Sequence, residues 1–221
     1  MQLPESNAAV ELCCLLQTKP HNNDVILNFC FDNRTAASIK CKVGNEDEQC
    51  YPLSFAINQK ASFDIIFILC KQFPPALAEL NQRKETPLHI AVRRNNDMDI
   101  LTMLLDESPE SASKVTVYGC TPLHYLCERN PSAEALSLFL SKYPQATEKK
   151  DACGRVLLHC VFEGKISLAA VSLLLAHNPN AVEEKKQRGT DSFTQCMHVP
   201  CILPCHSENA GLRSICSFVT R

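Results

Sequence analysis

The tetrapeptide Thr86-Pro87-Leu88-His89 returns as Thr121-Pro122-Leu123-His124, 35 residues further along the chain. A fixed interval between identical motifs points to a tandem array, in which each unit buries its apolar face against its neighbours instead of in one central core. Degenerate copies fall one step to either side, at Tyr51-Pro52-Leu53-Ser54 and Val156-Leu157-Leu158-His159. Other columns keep the interval. Pro74, Pro109, Pro144 and Pro179 form one, followed two residues later by Ala76, Ser111, Ala146 and Ala181, and Gly119, Gly154 and Gly189 form another. Agreement over unrelated residue types makes duplication the explanation.

The content of one period follows from local chemistry. In Thr-Pro the hydroxyl suits a helix cap, and the proline suits the first helical position, where its missing N–H is not needed. The apolar residues Leu88, Ala91 and Val92 recur as Leu123, Leu126 and Cys127, as Leu158, Val161 and Phe162, and as Leu53, Ala56 and Ile57. This is helical i, i+3, i+4 spacing with one buried face. A second start signal stands at Ser62, Asp97, Ser132 and Ser167, each suited to accept from an orphan N–H. The helix it opens is more apolar: Ile65, Ile66, Ile68 and Leu69 align with Ala135, Leu136, Leu138 and Phe139. Such a pattern suits a helix packed against its own partner and against the pairs on both sides. The proline column then ends it, and polar stretches carrying a glycine fit for positive φ lead to the next unit. Each period is therefore predicted to be helix, tight turn, helix and projecting loop.

This unit resembles the ankyrin repeat, whose signature is a Thr-Pro-Leu-His-x-Ala run opening the first of two antiparallel helices. Residues 86–91 match it in full, and 121–126 match all but the final alanine. The resemblance covers about residues 51–190. It departs from the family in an interval of 35 residues where about 33 is usual, in loops without the common Asn-Ala-x-Asp pattern, and in the loss of Thr-Pro from the fourth unit. What it implies is an all-α solenoid of stacked antiparallel helix pairs with projecting loops, four or five repeats long. It also implies a non-catalytic scaffold or adaptor that binds a protein partner.

Composition limits the alternatives. A net charge of −2 with mixed-sign loops such as Glu148-Lys149-Lys150-Asp151 provides no basic stripe for phosphates, so a nucleic-acid partner is not expected. No apolar run reaches the ~20 residues of a membrane span. Fourteen cysteines would suit a secreted disulfide framework. However, the start Met1-Gln2-Leu3-Pro4-Glu5 lacks a basic leader, and Cys70 and Cys127 occupy apolar columns as small hydrophobes. The expectation is a monomeric protein of a reducing, intracellular compartment, cytoplasmic or nuclear.

The array is flanked by two different ends. Residues 1–50 read as a degenerate helical repeat or cap, with Ala36-Ala37-Ser38 echoing Ser111-Ala112-Ser113 and the acidic stretch 45–48 inserted. Residues 191–221 keep neither capping nor apolar columns and read as a loosely ordered, cysteine-rich tail. Cys196, His198, Cys201, Cys205 and His206 in that tail are zinc-ligand types, but no Cys-x-x-Cys pair accompanies them. A zinc-associated regulatory or enzymatic fragment is the second reading, and a shortened product of a longer array is the third. The expected protein holds no cofactor and no metal.

His89, His124 and His159 form a column, but one histidine per stacked unit cannot converge on a single metal. In the ankyrin family this residue links neighbouring loops, so no catalytic residue is expected. The candidate partner surface is instead the column after the histidine, Phe55, Ile90, Tyr125 and Cys160, flanked by Arg93, Arg94, Glu128, Arg129 and Glu163. An apolar stripe beside charges suits a protein-binding groove. The alternative is that the apolar members contact only the next helix pair.

Overall fold

The computed structural model describes residues 5–18, 22–42, 49–95, 97–129, 131–163 and 168–179. The chain divides into two compact units at the Val117/Tyr118 boundary. The first unit contains the helix pairs α1 (Glu5–Gln17) and α2 (Asn23–Asp32), α3 (Pro52–Asn58) and α4 (Phe63–Gln72), and α5 (Pro87–Arg94) and α6 (Met98–Glu107). Helices α1, α3 and α5 pack in one layer, and α2, α4 and α6 in the next. A two-residue ladder, β1 (Cys41–Lys42) with β2 (Gln49–Cys50), sets Cys41 opposite Cys50. In the second unit α7 (Pro122–Glu128) packs on α9 (Leu157–Glu163), and α8 (Ala133–Lys142) packs on α10 (Leu168–His177).

The core follows the predicted columns. Leu53, Ala56 and Ile57 of α3, Leu88, Ala91 and Val92 of α5, and Leu123 and Cys127 of α7 are all buried, as are Ile65, Ile66, Leu69 and Cys70 of α4. Ile68 and Leu138 are only half-buried, because the stripe of the second helix is narrower than the sequence suggested.

Helix starts explain why the Thr-Pro motif is there. Thr86 and Thr121 accept from the backbone N–H of His89 and His124, while the ring Nδ1 of each histidine accepts from the threonine N–H at 3.2 Å. These are reciprocal capping boxes with histidine in the place usually held by Glu or Gln. The degenerate copies manage differently. Before α9, Val156 has no hydroxyl, yet its N–H still reaches His159 Nδ1 at 3.3 Å, so half of the box survives. Before α3, the Glu79 carboxylate accepts from Tyr51 N–H at 3.2 Å and from the Ser54 hydroxyl at 3.4 Å, capping the helix from the following loop. Among the second helices, Ser132 caps Ala135 N–H. Ser62 and Asp97 make no side-chain cap, contrary to the sequence expectation, and Ser167 lies outside the described residues.

The region after each second helix also differs from the expected loop. One residue after α2, α4, α6 and α8, 3-10 helices begin at Arg34–Ser38, Pro74–Ala78, Pro109–Ser113 and Pro144–Glu148. The residue between closes the helix, as Phe73 N–H does on Leu69 O, and then turns the chain with ψ 77°. Proline suits the start of a 3-10 turn for the reason it suits an α-helix. The column of small residues two further on, Ala36, Ala76, Ser111 and Ala146, is almost fully buried and lets the turn fold onto the helices.

Candidate partner-binding surface

The projecting loops are fingers built on one polar column. In the first unit Asn81 Oδ1 accepts from the N–H groups of Arg83 and Glu85, and Lys84 closes the turn with φ 57°. In the second unit Asp151 Oδ1 accepts from Cys153 and Arg155 N–H, and Gly154 closes the same turn with φ 72°. The glycine column is therefore a positive-φ column, and Lys84 occupies it with a strained backbone. Gly119 shows a second reason for glycine: a Cβ there would come within 2.9 Å of Ala152 N.

The predicted apolar stripe is not a surface. Phe55, Ile90 and Tyr125 are buried, and Cys160 is fully so. This corrects the sequence expectation: these side chains belong to the packing between helices, and they follow the histidine only because that helix face is covered too. The flanking charges divide. Arg93 pairs with buried Glu85 at 3.2 Å, and Glu128 pairs with Arg155 at 3.3 Å, while Arg155 also holds Asp151 at 2.7 Å. Both pairs join a first helix to a finger, with the signs reversed between the two units. These ions are scaffold parts whose partners compensate their burial. Arg94 is exposed and donates to Asn58 Oδ1 at 2.6 Å, joining α3 to α5. Arg129 is exposed. The side chain of Glu163 lies outside the described residues, as does the tail that carries Cys196, His198, Cys201, Cys205 and His206.

Two of the three column histidines are sealed, while His159 is half-buried. His89 and His124 have no exposed surface. Burial drives the His124 imidazolium pKa down to about 4, against the opposing pull of the Asp151 carboxylate and of the Arg155 and Lys149 carbonyls. A neutral ring is what the cap requires, since Nδ1 must accept. Buried Cys30 and Cys70 are similarly quiet: burial raises the thiol pKa of Cys30 to about 11 and of Cys70 to about 12.

What the sequence reading missed is apolar surface at the fingertips. Leu80, Val115 and Val117 are about half exposed. Leu80 and Val115 stand one period apart, and Val117 N–H donates to Arg83 O at 2.9 Å, joining the 114–117 segment, the start of the next finger, to the finger of Asn81 within the first unit. Glu79 and Glu85 are engaged by Lys40 and Arg93, and exposed Glu110 lies within electrostatic reach of Lys114, whereas Arg83, Lys84 and Lys114 face solvent. The signal was present in the 35-residue column of Leu80 and Val115, but it sat in stretches read as polar loop.

Capping boxes, helix pairs and fingers thus recur at the period of the motif, and a family profile described as "Ankyrin repeats (3 copies)" matches residues 53–150. Residues 53–150 are ankyrin repeats. Ankyrin repeats are generally protein–protein interaction modules and are typically non-catalytic. No curated protein matches the chain. Among the described residues, no helix is long and apolar enough to cross a membrane.

Proposed function

We propose that the chain is a non-catalytic scaffold that binds a protein partner through the fingers of its first unit. The partner it fits is an acidic segment carrying apolar side chains. The observation that supports this reading is the fingertip arrangement, in which exposed Leu80, Val115 and Val117 lie among exposed Arg83, Lys84 and Lys114. Apolar side chains give affinity, and the positive rim selects an acidic approach and speeds encounter. Arg94 adds a further cation on α5. Of the residues first considered, Arg94 retains a role as a contact of this unit.

Residues 5–42 fit this scheme as an additional repeat of divergent sequence. Their order of helix, helix and 3-10 turn is that of the later units, and the 3-10 turn at Arg34–Ser38 buries Ala36 and Ala37 as Pro109–Ser113 buries Ser111 and Ala112.

The test is a comparison of captured proteins between the wild-type full chain and a Leu80→Asp/Val115→Asp variant. Both positions are exposed, so thermal stability should change by no more than about 0.5 kcal/mol. A partner lost at least about tenfold from the variant, with binding that weakens as salt rises, supports the fingers as the site. Equal capture by both proteins removes this surface from consideration.

A further inference from the structure

The first unit holds a pair of thiols that the repeat architecture does not require. Cys13 lies on α1 and Cys41 on β1, they are 1% and 3% exposed, and their Sγ atoms are 2.6 Å apart. That separation is close to a disulfide bond of about 2.05 Å. The neighbouring thiols are arranged differently. Cys14 is exposed beside Cys13, and Cys50, across the ladder, accepts from Cys41 Sγ at its carbonyl, at 3.8 Å. No cluster of three or more metal-ligating side chains occurs among the described residues, which leaves covalent pairing as the chemistry the two sulfurs are placed for.

We propose that Cys13 and Cys41 form an oxidation site at which a hydroperoxide joins the two thiols into a disulfide, fastening α1 to β1. Either thiol can donate in the contact between the two sulfurs; with Cys13 as donor, its S–H stabilises a thiolate on Cys41, which then reacts first. Its sulfur attacks one peroxide oxygen, the O–O bond breaks, and the departing hydroxide takes a proton to become water, leaving a sulfenic acid on Cys41. Cys13 Sγ then attacks Cys41 Sγ. The S–O bond breaks, and the second hydroxide leaves as water with the Cys13 proton. Two thiols and one hydrogen peroxide give one disulfide and two waters, with two electrons passing from sulfur to peroxide. Cys41 belongs to a ladder of only two residues per strand, so a small oxidant gains access by local opening. The bond closes a loop across α2 and its 3-10 turn and secures α1, which packs on α3.

The experiment uses the full reduced chain, treated while native with hydrogen peroxide, alkylated, digested without reductant and mapped by mass spectrometry with fragmentation. The expected product is a Cys13–Cys41 crosslinked peptide that a thiol reductant reverses. Its formation should raise the melting temperature by about 10 °C. Cys14→Ala should retain the crosslink and the shift, and Cys13→Ala should lose both. Recovery of Cys13 and Cys41 as alkylated thiols, a Cys41–Cys50 bond, or a crosslink without stabilisation would overturn the proposal. The mapping on wild-type protein decides even where Cys13→Ala does not fold.

Discussion

His124 makes stability depend on pH in a calculable direction. Its ring is fully buried, its Nδ1 accepts from Thr121 N–H, and burial holds its pKa at about 4 against an ordinary 6.5. Between these values the unfolded chain binds a proton that the folded chain rejects, so stability rises with pH. The contribution is fully present above about pH 6.5 and is lost as pH falls toward 4. The difference between about 4 and 6.5 corresponds to roughly 3 kcal/mol. Carboxylates protonate in the same range, so the assay is a difference: urea unfolding at several pH values for wild type and His124→Gln. Glutamine at this position preserves the capping-box geometry, because Gln is one of the residues such boxes normally use, but it does not titrate. The wild-type curve should therefore fall more steeply than that of the variant between pH 6.5 and 4, by about 3 kcal/mol in total. Parallel curves, or a His124 ring titrating near 6.5 by NMR, would refute the reasoning.

Burial reverses one expectation drawn from sequence. Tyr125→Ala, which would be silent in stability at an exposed contact, should cost about 3–5 kcal/mol, comparable to the 2–5 kcal/mol expected for Leu136→Ala; both are measurable as a fall in the urea midpoint. Lys84→Gly should stabilise the first unit by up to about 1 kcal/mol, because Lys84 holds φ 57° where the later fingers use glycine. A lower melting temperature for that variant would show that the turn is not strained.

The repeat, its helical content and the threonine caps of the Thr-Pro motif were legible in the sequence, because each rests on interactions within a few residues. Thr86 and His89 meet across a single turn of chain, and Gly154 answers a local backbone demand. The 3-10 turns after the second helices were less legible, since proline is compatible both with the end of one helix and with the start of another.

Which face each column presents was a tertiary decision. Residues following the histidine look like a stripe on an isolated helix, yet packing against neighbours buries Phe55, Ile90 and Tyr125. Arg93 and Glu128 look like surface charge until Glu85 and Arg155 arrive from the fingers. The rescue of the α3 cap by Glu79 and the approach of Cys13 to Cys41 join residues 28 apart. Sequence determined the local units because short-range hydrogen bonding and periodicity are written in adjacent residues. Tertiary structure decided exposure, because burial depends on what another segment of the chain places on top of a side chain.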